Sequence, residues 1–275
     1  MDAAETAFAK INLALHVRRR EADGYHAIET LFVFAEDGDR LTLTERSGLT
    51  IGGPFAQGLS CDDNLVTRAA DAFARLTGRA VEGGFHLEKN LPVAAGIGGG
   101  SADAAAALRL LCRRAGIGPE ERRILDLAAA LGADVPACLV SRPVRGEGRG
   151  DRLVPVDGMP SGQPLLLVNP MRPLATGPVF ARWDSVDRGP LGDGDPIAAA
   201  RAGRNDLQPP AIAVLPVIGE ILGLLHGQDG MLLGRMSGSG ATCFALFEDE
   251  AARDHAANAI AALQPDWWLL RTRLR

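Results

Sequence analysis

Residues 91–107 read LPVAAGIGGGSADAAAA: a proline, a run of glycines, one serine, then a block of alanines. The order is that of a loop feeding a helix. Glycines at Gly96, Gly98, Gly99 and Gly100 free the main chain to turn and to approach a ligand with no Cβ in the way. A helix starting near Ser101 or Ala102 directs its unpaired N–H groups and the positive end of its dipole back at that loop. This is the arrangement that holds an anion, most often a phosphate. A plain flexible loop is the competing reading. The stretch is not the dinucleotide fingerprint, because serine stands at 101 where the third glycine belongs. Nor is it a Walker loop, because no Lys-Ser or Lys-Thr pair follows the glycines.

Outward from the loop, residues 84–89 read as a short strand leading in. A helix spans 102–114, with Ala105, Leu108, Leu111 and Cys112 at helical spacing and Gly116 at its end. A further helix follows Pro119. Before the loop, residues 8–17 alternate in part between apolar and polar, as a strand does. Residues 31–34 and 40–44 read as two more strands parted by the turn-forming Glu36-Asp37-Gly38-Asp39. Asp63-Asn64 opens a helix whose apolar face carries Leu65, Ala69, Ala72, Phe73 and Leu76, with Gly78 as its stop. Between 141 and 162 the texture turns to Gly, Pro and Arg, which divides the chain into domains 1–155 and 156–275. The second holds a strand at 164–168, helices near 174–183 and 209–226, a strand pair across 231–247, a helix at 248–263 and a last strand. Residues 184–204 read as a surface loop. Strands interleaved with helices and an antiparallel pair predict α+β rather than a doubly wound parallel sheet.

The bulk properties narrow the class. A chain of 275 residues with 47% hydrophobic and 23% charged residues has the makeup of a globular enzyme-sized protein. A net charge of −5 argues against a nucleic-acid partner. Cys61, Cys112, Cys138 and Cys243 lack metal or disulfide spacing and read as free thiols of a reducing compartment. No basic-then-apolar leader and no apolar run of membrane length stand out, so a cytoplasmic location and no membrane partner are expected.

Four places carry possible chemistry. Lys10 lies within the apolar first strand, either solvent-facing or turned inward as a cation for a phosphate or a carboxylate; Asn12 shares its face. Asp134, in Gly132-Ala133-Asp134-Val135-Pro136, is either a solvated turn residue or a half-buried carboxylate needing a partner such as Lys10. Such a pair beside a phosphate loop is apparatus for phosphoryl transfer to an alcohol. Ser237-Gly238-Ser239-Gly240-Ala241-Thr242 is either a hairpin turn or a second loop whose backbone approaches a ligand. Tyr25 and His26 either stack on a base or pack locally.

These blocks, in this order, resemble the GHMP kinase superfamily. Pro92 with Gly96-Ile97-Gly98-Gly99-Gly100-Ser101 is similar to its ATP loop, and Ser237-Gly238-Ser239-Gly240-Ala241 to its C-terminal glycine motif. Ala9-Lys10-Ile11-Asn12-Leu13, the stretch READGYHAIETL at 20–31, Asp63-Asn64-Leu65 and Gly132-Ala133-Asp134-Val135-Pro136 resemble the branch that acts on a cytidine-diphosphate-linked methylerythritol. The resemblance implies a ribosomal-protein-S5-domain-2-like N-terminal domain, a ferredoxin-like C-terminal domain and an active site in the cleft between them. It implies phosphorylation of that substrate's 2-hydroxyl by ATP with Mg²⁺, in the non-mevalonate isoprenoid route, by a monomer or weak homodimer.

By the same resemblance Asp134 is the base and Lys10 its partner. The ATP phosphates fall to Val93, Ala94, Ala95, Gly96, Ile97, Gly98, Gly99, Gly100, Ser101, Ala102 and Asp103, with Asn64 and Lys89 toward the nucleotide. Tyr25, His26 and Phe180 hold the cytosine, and Asn12 and Thr176 lie nearer the acceptor. No dedicated protein metal site is implied, though Ser101 is a candidate Mg²⁺ contact. Val93-Ala94-Ala95 replaces glycines common in relatives and stiffens the loop. Asp103, asparagine or serine in some relatives, is an extra anion expected to face Mg²⁺ or solvent. Two other readings compete: a related kinase acting on homoserine or a mevalonate derivative, and a non-catalytic nucleotide-binding protein on the same fold, against which the retained Lys10 and Asp134 speak.

Overall fold

In the computed structural model, which describes residues 3–275, the elements run β1 (Ala4–Arg20), β2 (His26–Thr44), β3 (Gly48–Gly52), α1 (Leu65–Thr77), β4 (Gly84–Glu88), α2 (Gly99–Ala115), α3 (Arg122–Leu131), α4 (Val135–Val140), β5 (Val144–Gly148) and β6 (Arg152–Pro155). They continue with β7 (Pro164–Asn169), α5 (Thr176–Phe180), α6 (Pro196–Ala202), α7 (Gln208–Val214), α8 (Val217–His226), β8 (Met231–Met236), β9 (Cys243–Phe247), α9 (Glu250–Leu263) and β10 (Trp268–Arg273). The chain forms two units that alternate along its length. One takes residues up to Lys10, Asp37–Val93 and Gly98–Ser141; the other takes Ile11–Glu36, Ala94–Ile97 and Arg142–Arg275. Among the described residues no helix is long and apolar enough to cross a membrane.

In the first unit, β4 lies between β3, which it pairs in parallel, and the Arg40–Thr44 end of β2, which it pairs antiparallel. Helix α1 begins where Asn64 accepts a hydrogen bond from the Val66 N–H at 2.9 Å and ends at the left-handed Gly78. Ala69 and Phe73 are buried as expected, together with Val66 and Ala70, whereas Leu76, expected on that face, is exposed. The alanine block makes α2 buried nearly all round, and both α1 and α4 pack on it. Its small side chains let these neighbours approach closely.

The segment Glu36-Asp37-Gly38-Asp39 is not a turn. β2 runs straight through it. The reason is tertiary: a Cβ at Gly38 would lie 2.0 Å from the Ala7 carbonyl oxygen, so this glycine serves close backbone approach. Asp39 is fully buried and takes backbone N–H groups from Asn90 and Leu91. Residues with strong turn propensity are here spent on anchoring a strand.

In the second unit, β7, the helices after it, β8, β9, α9 and β10 give a β-α-β-β-α-β succession. Its antiparallel sheet has the order β10-β7-β9-β8, which is the ferredoxin-like arrangement. Helices α8 and α9 pack on this sheet, and Leu166, Val168, Ile221, Phe247 and Ile260 lie in its core. The Ile28–Phe32 part of β2 pairs with β5, which pairs with β6.

The helix expected over 209–226 is two, α7 and α8, separated at Pro216, whose ring cannot continue a helix. Residues 184–204 are not a loose surface loop: they contain α6, and Leu191 and Ala200 are buried. Glu29 pins the segment by accepting the Leu191 N–H and the Arg145 guanidinium, each at 2.8 Å.

Candidate active site

The first strand decides the fate of Lys10. Its central polar positions do not face water: Lys10, Asn12 and His16 are all buried. A buried ammonium needs an anion, and Lys10 Nζ lies 3.2 Å from Asp134 Oδ2, whose side chain is 37% exposed. The pair therefore has a buried cation and a carboxylate open to a ligand. Asp134 immediately precedes α4 and makes no capping bond with its side chain, which leaves the carboxylate for other work. Sequence reading missed α4 because Pro136 sits in its first turn, where proline is tolerated.

Helix α2 starts beside that pair. Gly98 is left-handed, φ +67°, and a Cβ there would come within 3.0 Å of Lys10 Cε. Glycine is thus required twice at this position, for conformation and for space. No side chain caps the first turn of α2, and the Ala102 N–H is the one that returns to Gly98 O, at 2.8 Å. The N–H groups of Gly99, Gly100 and Ser101 precede it, aimed out of the helix start as an anion site requires. Gly100 is exposed and Ser101 partly so.

Behind this start lies a second charged cluster. Lys89 Nζ donates to Asp103 Oδ2 at 2.7 Å and to Asp39 Oδ2. Burial pushes the Lys89 ammonium down, but the Asp103 and Asp39 carboxylates outweigh it and leave its pKa above the ordinary lysine value. Burial drives Asp103 the other way, up to about 7, against the pull of Lys89. Asp103, expected to face Mg²⁺ or solvent, is instead turned into the protein: it lies on the face of α2 that meets the buried Lys89. Among the described residues no group of three or more His, Cys, Asp or Glu has the makeup of a metal site. Asn64, for its part, caps α1.

In the second unit, the loop segment 94–97 lies against the C-terminal glycine motif. A Cβ at Gly96 would be 2.5 Å from Gly240 O, and one at Gly238 would be 2.9 Å from Gly96 O. Ser237 Oγ donates to Gly96 O at 3.1 Å, and the Thr242 N–H donates to Ala95 O at 3.1 Å. So Ser237-Gly238-Ser239-Gly240 is more than a hairpin turn: the Ser237 hydroxyl and the adjoining Thr242 N–H brace the loop. Ala94 has φ +53°, a left-handed conformation that glycine adopts freely and alanine does not. Ala95 and Ile97 are buried, and Val93 is exposed.

Asn12 belongs to the same brace, its N–H donating to Ser237 Oγ at 3.1 Å and its amide to Thr30 Oγ1 at 2.8 Å. Thr176 pairs with Ser239 through their hydroxyls at 2.9 Å. The His26 ring lies 4.9 Å from Phe180 and meets Trp183 edge-on at 5.6 Å. Burial, then the Arg20 charge, holds this imidazole below its ordinary pKa. Tyr25 is exposed, with the Arg149 guanidinium 3.9 Å above its ring and Arg149 also paired to Asp23. Trp183, Arg149, Thr30 and Asp39 went unseen in the sequence. Trp183 and Arg149 sit in no pattern that marks them, while Thr30 and Asp39 fall within READGYHAIETL and Glu36-Asp37-Gly38-Asp39, which do not reveal the contacts they make.

Comparison with known proteins fits these features. The family model for the GHMP kinases N terminal domain matches residues 64–142, and that for GHMP kinases C terminal matches 190–266. A 4-diphosphocytidyl-2-C-methyl-D-erythritol kinase of Rhizorhabdus wittichii is 60% identical, the alignment covering 100% of this chain and 96% of that one. A crystal structure of 4-(cytidine 5'-diphospho)-2C-methyl-D-erythritol kinase is 35% identical with a TM-score of 0.79, covering 99% of both chains. Homoserine kinase from Cytophaga hutchinsonii, 16% identical with a TM-score of 0.66 over 97% of this chain and 96% of that one, shares the fold. The chain belongs to the GHMP kinase family, in the branch of the 4-diphosphocytidyl-2-C-methyl-D-erythritol kinases.

Proposed function

We propose that this chain transfers a phosphoryl group from ATP to the 2-hydroxyl of 4-diphosphocytidyl-2-C-methyl-D-erythritol, with Asp134 as base and Lys10 as its partner. The observation that carries the reading is the 3.2 Å Lys10–Asp134 pair beside the glycine start of α2. Bound ATP supplies the phosphoryl group, and Mg²⁺ travelling on its phosphates, with Ser101 as the candidate side-chain contact, neutralises their charge. The cradle of Gly98, Gly99 and Gly100 fits such a group because it offers uncapped N–H groups and no Cβ bulk.

Asp134, open on one side, accepts the hydroxyl proton as the oxygen attacks the γ-phosphorus of ATP, whose bond to the β-phosphate oxygen breaks so that ADP leaves. Lys10, held in place by burial, fixes the orientation of that carboxylate and offers positive charge to the developing alkoxide. Asn64 and residues 93–102 serve the nucleotide, with the buried Lys89 and Asp103 behind them. His26, neutral near pH 7 because of its lowered pKa, is able to accept or donate one hydrogen bond to a pyrimidine edge while Phe180 and Tyr25 offer ring faces. Asn12 and Thr176 stand toward the acceptor sugar.

A coupled ADP-release assay tests this with the cytidylylated methylerythritol, homoserine and mevalonate offered separately. Release with the first alone is the expected result, and release only with one of the others overturns the substrate assignment. In the same assay Asp134→Asn should lose about 10²–10⁴-fold in turnover, the range of a general base, while still binding ATP. Lys10→Ala should also fall severely. Near-normal turnover in either variant removes that residue from its role.

A further inference from the structure

We propose that Asp39, Lys89 and Asp103 act together as positioning residues, a buried clamp that fixes both ends of the glycine loop and so sets the affinity for the nucleotide phosphates. The inference rests on the reading of this loop as the nucleotide's cradle. The chain enters the loop from β4 through Lys89, Asn90 and Leu91, and leaves it at Gly99 into α2. Asp39, on β2, accepts the Asn90 N–H at 2.6 Å and the Leu91 N–H at 2.8 Å through Oδ1, which sets the backbone direction into Pro92. Its Oδ2 takes Lys89, and the same ammonium reaches Asp103 on the second turn of α2. One lysine therefore ties the entry strand, the hub strand β2 and the exit helix together. All three residues are at least 95% buried.

Stability alone is a poor account of this cluster. Two carboxylates and one ammonium leave a formal charge of −1 in the interior, and Asp103 Oδ1 is buried without a hydrogen-bond partner. Burying three charges costs more than packing apolar side chains of like volume. What a charged cluster supplies instead is direction, through hydrogen bonds that hold atoms at fixed angles. The place where direction matters is adjacent: a Cβ on Gly99 would lie 3.1 Å from Lys89 Nζ and 3.7 Å from Asp39 Oδ2. The clamp thus underlies the first residue of α2, whose N–H belongs to the anion site. A shift of about 1 Å there misplaces donors whose worth depends on geometry.

The test uses the full-length protein with Asp39→Asn, Asp103→Asn and, as a reporter of the loop itself, Gly100→Asp. An amide at 39 has one acceptor oxygen for three donors, so it breaks the clamp outright; asparagine at 103 loosens it at the helix. KM for ATP, KM for the acceptor, kcat, melting temperature and the dissociation constant of a fluorescent ATP analogue are measured. Both clamp variants should raise the ATP KM and the analogue's dissociation constant about tenfold or more, with the acceptor KM within about twofold, the pattern of lost binding at one substrate. Gly100→Asp puts a carboxylate in the first turn of α2, which suits the helix but repels phosphates, so it should raise the ATP KM without lowering the melting temperature.

If Gly100→Asp weakens ATP while both clamp variants bind it within about twofold of the parent, the clamp is wrong and the loop reading stands. If Gly100→Asp itself leaves ATP binding unchanged, the loop reading fails and the clamp with it. A fall in kcat and melting temperature with unchanged ATP affinity assigns the cluster a purely structural role and also overturns the proposal. Should Asp39→Asn fail to fold, Asp103→Asn decides by the same criteria.

Discussion

At the scale of single residues, polarity inside apolar surroundings carries most of the chemical information. His26 shows how a local environment sets what a side chain does. Packed against Phe180 and Trp183, it loses hydration that the charged imidazolium needs, and Arg20 adds repulsion. Both effects lower its pKa in the folded protein relative to the unfolded chain, so the unfolded state binds the proton more readily. The stability this group contributes is therefore intact above the unfolded value, about 6.5, and is lost as pH falls through the lower folded value. A titration of the His26 ring followed by NMR should give a midpoint below the ordinary histidine value. A midpoint at or above it refutes the environment described. The Arg20→Gln variant should raise the midpoint, since it removes the second of the two causes.

At the scale of elements, Asn64 separates two roles that sequence alone leaves superposed. It caps α1 through the Val66 N–H, and the family resemblance also turns it toward the nucleotide. Loss of the cap in Asn64→Ala should cost about 0.5–2 kcal/mol of stability, read as a lower melting temperature. Asn64→Asp keeps a capping oxygen and should restore the melting temperature. If it restores the ATP KM as well, the residue acts as a cap alone; if the KM stays raised, the side chain also meets the nucleotide.

Elements announced by local chemistry were legible in this way: the Asn64 and Gly78 ends of α1, the Gly116 end of α2, the glycine start of α2, and the β8–β9 pair around Ser237-Gly238-Ser239-Gly240. What was illegible depends on partners distant in sequence. Glu36-Asp37-Gly38-Asp39 has every mark of a turn, yet Ala7 and the Asn90–Leu91 backbone hold it in a strand. Residues 184–204 look like a loop because the groups that order them, Glu29 and Arg145, lie elsewhere in the chain. The site divides along the same line. Lys10, Asp134 and the glycines stood out by type and context, whereas Asp39, Trp183 and Arg149 acquire meaning only from what they touch.

At the scale of the whole molecule, composition marks a boundary near residue 155, but the second unit draws on residues well before it. Leu15, Val17 and Ile28 lie in the same buried core as Leu166, Phe247 and Ile260. The Asp206 carboxylate accepts the Val17 N–H at 2.8 Å, and the half-buried Arg235 guanidinium donates to Leu13 O as well as to Ala200 O and Gly203 O. A fragment comprising 156–275 keeps the β7-β8-β9-β10 sheet and its helices. It loses three large apolar side chains from the core and leaves Asp206 and Arg235 short of partners. Each missing side chain is worth about 1.5–3 kcal/mol of burial, which in sum approaches the whole stability of an ordinary domain. The isolated fragment should therefore show helical far-UV circular dichroism but weak near-UV signal and a broad melt. Addition of a separately made peptide spanning 11–36 should sharpen that melt, because it returns the apolar side chains, the Val17 N–H donor and the Leu13 carbonyl acceptor. A sharp, cooperative transition in the fragment alone would mean that the β-α-β-β-α-β sheet and its two helices supply a sufficient core, and that β1 and β2 contribute to it only marginally.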